Sequence, residues 1–184
     1  MTRTAPRVIE IGQLVRLREK HIDDAELDYA WRADPELAVF DAVPPLSISF
    51  RSFVATLAEE IDRPNPARCV FAIEEAQYFE HIGNIMYYGY DVARSEAELG
   101  ITIGNRDYWN KGCGTEATRL MLGHLFGELG LERIYLHTLT WNHRAQETFR
   151  RAGFHRVRTV HRMGHDFVLM EVHRSGYDSG DISG

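Results

Sequence analysis

The sequence predicts one α+β domain of the mixed α/β kind, with a twisted mixed sheet of about seven strands flanked by about four helices. Three observations predict it. Short aromatic and β-branched runs follow one another through the middle of the chain, which suits an antiparallel meander. A strand, a polar glycine-bearing turn, a helix and another strand then succeed one another over residues 98–139, the order of a parallel pair with a right-handed crossover. The 184 residues, 44% hydrophobic and 26% charged, suffice for one domain with its own core and do not suit a disordered or fibrous chain.

Residues 11–18 read as the first strand, with Val15 and Leu17 alternating with Arg16 and Arg18. A helix starts near Asp23, where Asp23 and Asp24 suit its N-terminus, and turns Leu27, Ala30 and Trp31 inward. Asp34-Pro35 ends it, because the residue before proline is pushed out of the helical region. Pro44-Pro45 marks a loop, and a second helix follows, capped by Ser47 or Ser49. Its stripe is Phe50, Phe53, Val54, Leu57 and Ile61, closed by Pro64 and Pro66. Residues 69–73, 77–90 and 98–103 are the meander strands, with a turn over 91–95. The last of them alternates, Glu98, Gly100 and Thr102 against Leu99, Ile101 and Ile103. A helix over 115–129 stops at Gly130, a strand spans 134–139, and a helix over 142–152 turns Ala145, Phe149 and Ala152 inward. Strands at 156–161 and 167–172 form a hairpin around Met163-Gly164. Residues 1–8 are an extension, 9–174 the domain, and 175–184 a polar tail expected to fray.

The formal net charge of −6 argues against a general nucleic-acid binder. Cys69 and Cys113 are the two cysteines and form no C-x-x-C, which disfavours a disulfide framework or cysteine zinc site and fits a reducing cytosol. No apolar run approaches the roughly 20 residues that span a membrane, and residues 1–8 lack an apolar signal core. A cytoplasmic protein without a membrane partner is expected. Nine histidines include His161, His165, His155 and His173 near the final strands, but no H-E-x-x-H spacing occurs, so no metal is expected.

The most informative stretch is Trp109-Asn110-Lys111-Gly112-Cys113-Gly114-Thr115-Glu116-Ala117. Glycines between a strand and a helix N-terminus let backbone N–H groups converge, and the helix dipole adds positive potential, so the stretch suits a diphosphate. A tight turn without ligand is the plain alternative. No Walker A loop is present. Gly112-x-Gly114-x-x-Ala117 satisfies the dinucleotide G-x-G-x-x-[GA] pattern. That fingerprint opens a parallel unit early in its domain, whereas antiparallel strands precede it here. Its expected acid is also missing: Glu132 has the distance but precedes the strand, which ends at Thr140-Trp141. Cys113 at a helix N-terminus has a position that could lower its pKa, although a variable loop position between glycines is the better reading.

Four pieces in order carry a resemblance: Ala97-Glu98-Leu99-Gly100-Ile101, Arg106 through Ala117, Arg133-Ile134-Tyr135-Leu136-His137, and Asn142-His143-Arg144-Ala145 followed by Gly153-Phe154. The run from Glu98 to Phe154 resembles the GNAT superfamily of acyl-CoA-dependent N-acetyltransferases, in the branch with ribosomal-protein N-terminal and spermidine acetyltransferases. The resemblance implies acetyl-CoA as acyl donor, its pyrophosphate held by backbone N–H groups from Asn110 to Thr115. It implies a pantetheine arm along Ile101, Thr102 and Ile103, and a hydrogen bond from Asn142, whose plain role is an N-cap. The cofactor-binding set becomes Ile101, Thr102, Ile103, Trp109, Asn110, Lys111, Gly112, Cys113, Gly114, Thr115, Asn142, Ala145 and Phe149. Trp109 stands where the superfamily has Gln or Arg, Asn110 where the branch commonly has glycine, and Phe149 where many members carry a tyrosine general acid. Phe149 cannot donate a proton, which favours a non-catalytic acyl-CoA-binding domain as the alternative; a dinucleotide-dependent oxidoreductase is the further alternative.

Direct acetyl transfer needs a base, because a protonated amine is not nucleophilic. Glu98, at the head of the cofactor strand, is the candidate, ahead of Glu96 and Asp91. Tyr87, Tyr88 and Tyr90 could line an acceptor pocket or pack across strands. The acceptor, a polyamine, an antibiotic-like amine or a protein N-terminus, would be shaped by the first two helices, residues 42–48 and the last hairpin, with Tyr29, Trp31 and Phe40 as contributors. Similar proteins often pair as homodimers.

Overall fold

The computed structural model describes residues 5–178. Its eight strands form one sheet in the order β1-β2-β3-β4-β5-β6-β8-β7. The strands are β1 (Val8–Ile11), β2 (Val15–Glu19), β3 (Cys69–Glu75), β4 (His81–Asp91), β5 (Glu96–Ile103), β6 (Arg133–Leu139), β7 (His155–Arg162) and β8 (His165–His173). The helices are α1 (Ala25–Ala33), α2 (Pro35–Asp41), α3 (Phe50–Asp62), α4 (Cys113–Gly127), α5 (His143–Arg151) and the short α6 (Arg174–Asp178). The class is the expected one, with one more strand and two more helices than the sequence indicated.

The meander β3-β4-β5 is antiparallel, β5 and β6 are parallel, and β7-β8 is the expected hairpin. Helix α4 crosses one face and carries the centre of the core: Ala117, Met121, Leu122 and Leu125 are fully buried there, against Ile85, Ile134 and Leu136. Fully burying each such side chain contributes about 1.5–3 kcal/mol before the entropy of ordering is subtracted. Gly104 follows β5 directly under the indole of Trp31, so close that a Cβ there would collide with the ring. That contact fixes α1 against the end of β5 on the side of the sheet away from α4.

Four differences from the sequence reading have physical causes. The single N-terminal strand is two strands with a turn between them. Glu116, in the first turn of α4, accepts hydrogen bonds from the amides of Gln13 (3.1 Å), Leu14 (2.7 Å) and Val15 (2.8 Å), and local alternation cannot show such a long-range clasp. Asp34-Pro35 ends α1 as expected but also starts α2. The Asp34 carboxylate accepts from Glu36 N (2.8 Å) and Leu37 N (3.2 Å), and proline suits the first helical position. Strand β4 begins at His81 rather than 77, because the Glu75 carboxylate accepts from the amides of Gln77 and Tyr78 and turns the chain. Helix α4 begins at Cys113, ahead of Thr115. A short helix, Arg174–Asp178, runs from the end of the expected domain into the expected tail, and Tyr177 packs on Phe126 with ring centroids 5.2 Å apart. The rest of that tail, 179–184, and residues 1–4 of the expected extension lie outside the described residues.

Candidate active site

Strands β5 and β6 stay paired for three residues only: Glu96 with Arg133, Ala97 with Ile134, and Glu98 with Tyr135. Beyond Glu98 they part, so residues 99–103 of β5 face no ladder partner on that side. Two parallel strands that diverge leave backbone N–H and C=O groups open to an extended amide-bearing ligand. Helices α4 and α5 follow the C-terminal ends of these same two strands, so both helix N-termini sit at the mouth of the gap. This is where an open α/β sheet places its ligands. The first turn of α4 packs on α5 and on the end of β5: a Cβ on Gly114 would lie 3.4 Å from Thr148 Cγ2 of α5 and 3.8 Å from Ile103 Cγ1 of β5.

The loop into α4 takes two left-handed backbone turns. Asn110 has φ 60° and Gly112 φ 85°, both left-handed. Glycine takes this conformation freely and asparagine tolerates it, which explains how Asn110 serves where the resembling branch carries glycine. No side chain caps α4, and the first amide to bond back inside it is Glu116 N to Gly112 O at 3.0 Å. The amides ahead of Glu116 therefore remain available to an anion, with the dipole of a 15-residue helix behind them. These are features a bound diphosphate requires. Cys113 is buried at 4% exposure, and burial raises its thiol pKa, so the lowering expected from a helix N-terminus does not occur. Trp109 turns its indole back and donates from Nε1 to Ile103 O at 2.7 Å, tying the loop to the end of β5. Asn142 caps α5 by accepting from Ala145 N at 3.2 Å.

A second cluster occupies the other face of the sheet, where β5 and β6 begin to part. Glu98, 7% exposed, accepts from His137 Nδ1 at 2.7 Å, from the Tyr88 hydroxyl, and from Arg162 at 3.4 Å. Burial alone would raise its pKa, but these partners outweigh burial and hold the carboxyl below its usual range. Burial and then the Glu98 charge push the Tyr88 phenol up, so it stays a hydrogen-bond donor at neutral pH.

The acetyltransferase (GNAT) domain family matches residues 14–155, most of the chain, including Glu98, His137 and the loop into α4. The chain belongs to the GNAT acetyltransferase family. Among solved structures, spermidine N-acetyltransferase from Vibrio cholerae in complex with CoA and spermine is 21% identical with TM-score 0.79, over 90% of this chain and 99% of that one. Aminoglycoside acetyltransferase AAC(6')-Ib in complex with coenzyme A is 19% identical with TM-score 0.73, over 91% and 99%. A GNAT-family acetyltransferase from Bacillus anthracis is 16% identical with TM-score 0.75, over 90% and 98%. At these identities the likeness speaks to the fold. A comparison with curated proteins finds no match. Family membership makes the protein an acetyltransferase with acetyl-CoA as acyl donor and removes the oxidoreductase alternative.

Within this GNAT domain the predicted site residues separate. Ile101, Thr102 and Ile103 lie on the open stretch of β5, and residues 109–115 with Asn142 and Ala145 gather at its mouth. Phe149 is instead buried in the core, edge-on to Phe154 with centroids 5.9 Å apart. Tyr87 belongs to the α4-side core, its ring 6.5 Å from a tilted Phe71 and from an edge-on Tyr90, whereas Tyr88 joins Glu98. Glu96 is held by Arg133 at 2.6 Å, and Asp91 lies near Arg94 at 3.8 Å. Tyr29 donates to Ile48 O at 2.9 Å and packs between Phe50 and Phe53, which makes it a strut between α1 and α3. Trp31 packs against His81 with tilted rings, centroids 4.9 Å apart. Among the described residues no cluster of three or more His, Cys, Asp or Glu could hold a metal, and no helix is long and apolar enough to cross a membrane.

Sequence reasoning missed Arg144. Its guanidinium lies 3.6 Å from the Trp109 ring centroid and 5.1 Å from that of Phe40, and Phe40 also packs on Trp109 and Trp141. Burial lowers its pKa, yet no carboxylate among the described residues bonds it. Its signal was present: a cation in the first turn of a helix opposes the dipole, and such a placement calls for an anion nearby. His137 was missed as well, because only the β5–β6 register brings it beside Glu98.

Proposed function

We propose that the protein transfers acetyl from acetyl-CoA to a primary amine of a small molecule, a polyamine or an antibiotic-like amine, or to a protein N-terminus. The single observation that carries this reading is the parting of β5 and β6 after Glu98, with a free helix N-terminus on one side of the gap and a carboxylate-centred cluster on the other. The amides of residues 110–115 and the cation of Arg144 hold the donor's phosphates. The open edge at Ile101, Thr102 and Ile103 takes the amide-bearing arm, and Asn142 uses the Nδ2 that its capping role leaves over. Lys111, Cys113 and Trp109 shape this cradle through backbone and ring, while Ala145 and Phe149 support it from the core side of α5.

On the opposite face the cluster at Glu98 accepts the amine's proton. The similar structures holding spermine, and coenzyme A in an aminoglycoside enzyme, support a cationic small-molecule acceptor, as does the net charge of −6. The protein works in the cytoplasm, as a homodimer. A non-catalytic acyl-CoA-binding role is the second reading, favoured by the phenylalanine at 149.

Two measurements test the proposal. Acetyl-CoA raises the melting temperature and NAD does not. CoA thiol is released when acetyl-CoA is mixed with spermidine, spermine, kanamycin or a peptide with a free N-terminus. Stabilisation by acetyl-CoA without thiol release from any of these amines refutes transfer and leaves the binding role.

A further inference from the structure

Glu98 has more partners than a free base would have. Three donors converge on its carboxylate, and Oε1 alone receives His137 Nδ1 at 2.7 Å and Arg162 at 3.4 Å. An ionised carboxylate only accepts, so the proton shared with His137 sits on Nδ1. In a neutral imidazole that assignment leaves the lone pair on Nε2. Among the described residues no buried side-chain nitrogen or oxygen lacks a hydrogen-bond partner, and Nε2 has none within the protein. Nε2 therefore reaches accessible space. The ring stands edge-on to Tyr135 (6.0 Å) and Phe167 (6.4 Å), which fixes its plane. His137 lies two residues beyond Tyr135, the last β6 residue paired with β5, so the ring bridges the two strands where they begin to separate. A carboxylate holding one imidazole nitrogen while the other stays accessible is the arrangement by which a weak acid–base group is oriented for proton transfer.

We propose that His137 Nε2 is the general base and that Glu98 is its positioning residue. The inference rests on the transferase reading above. The amine enters as an ammonium and gives one proton to solvent. Nε2 takes a second proton as the amine nitrogen bonds to the thioester carbon. The C–S bond then breaks, and the Nε2 proton passes to the departing sulfur, giving amide and CoA thiol with the imidazole restored. The same imidazole thus supplies the acid that Phe149 cannot. Of the charged and titratable groups around the pair, Glu98 on β5 and Tyr135 on β6 contact the ring, and Tyr88 on β4 and Arg162 on β7 reach the same carboxylate.

The test uses the full chain with acetyl-CoA and the amines named above. His137→Asn keeps an N–H in place of Nδ1 for Glu98 but has no base at the Nε2 position. It is expected to lower kcat at least about 100-fold, with KM for acetyl-CoA and melting temperature close to the parent's. Glu98→Gln still accepts from Nδ1 and is expected to lose less, roughly 10-fold, the cost of a weaker orienting partner. Nitrogen-15 spectra of the histidine rings give a readout independent of turnover: His137 is expected as the Nδ1–H tautomer in the parent and as a tautomer mixture in Glu98→Gln. A parent chain that turns over while His137→Asn keeps its kcat overturns the assignment and leaves the transferase intact. A parent resonance showing Nε2–H also overturns it. A parent that releases no CoA with any of the amines sinks the transferase reading and this role together.

Discussion

Arg18 is the keystone of the wall that α1 presents to the sheet, and its removal has a calculable cost. Its guanidinium makes a two-pronged contact with Asp24 (2.7 and 2.9 Å) and a third bond, from Nε, to Glu74 at 2.5 Å, with all three residues 5–6% exposed. Arg18→Met preserves most of the apolar stem and deletes the charge. Breaking a buried pair from one side costs about 3–5 kcal/mol, because the abandoned charge stays buried. Here the lower end applies, since Asp24 keeps Lys20 at 3.3 Å and Glu74 keeps Arg16 at 2.6 Å. A loss of about 3 kcal/mol lowers the melting temperature by roughly 6–12 °C for a chain of this size. Urea denaturation followed by circular dichroism measures it, with an unchanged m value showing that the folded state is intact. Arg7→Met is the control: it breaks an exposed pair with Glu19 and should shift stability by under about 0.5 kcal/mol. Adding Asp24→Asn to Arg18→Met should recover part of the loss, because it removes the orphaned charge. If Arg18→Met falls within the range of the Arg7 control, the neighbouring cations already neutralise both acids and the reasoning fails.

Glu116→Ala should lose about 2 kcal/mol, read by the same denaturation. Of its three amide contacts only the one to Val15 is partly buried, and water replaces the others. Arg144→Met should raise KM for acetyl-CoA roughly 10-fold at nearly constant kcat, the signature of lost uniform binding. An unchanged KM would remove Arg144 from the donor site. Asp24 and Asp28 both have depressed folded-state pKa values, because hydrogen bonds and charge from Arg18, His81 and Lys20 outweigh burial. Their contribution is therefore complete above the unfolded carboxylate value near ~4 and drains away as pH falls below it. Stability measured from pH 6 down to pH 2 should drop steeply, and less steeply in Asp28→Asn; parallel curves would refute the assignment.

Much of the donor site could be read from the residues. The glycine-bearing run before Thr115, the strand at 98–103 and the asparagine at 142 are local features, and local chemistry dictates a turn, an open strand and a cap. What escaped was set by distance. Asp34-Pro35 reads as a stop because proline disfavours a helix before it, but the same pair is an N-cap and first position for the next helix. The clasp of Glu116 on residues 13–15 joins positions about a hundred apart in sequence, beyond any periodicity. His137 looked like one alternating strand residue among nine histidines, and it acquires meaning only from the pairing of β6 with β5. The inward face of α5 is legible in its spacing, and Phe149 on that face packs against Phe154.

The clasp made by Glu116 also bears on how the molecule assembles. The turn that joins the first two strands is gathered by a carboxylate that leaves the ribosome about a hundred residues later. Until that helix forms, the leading hairpin lacks its anchor, and the same first turn carries the uncapped amides proposed to hold the donor's phosphates. On that proposal, the cradle and the docking of the chain's opening strands depend on one and the same turn of helix. Trimming the first strand is then expected to weaken acyl-donor binding through the helix on which that strand packs.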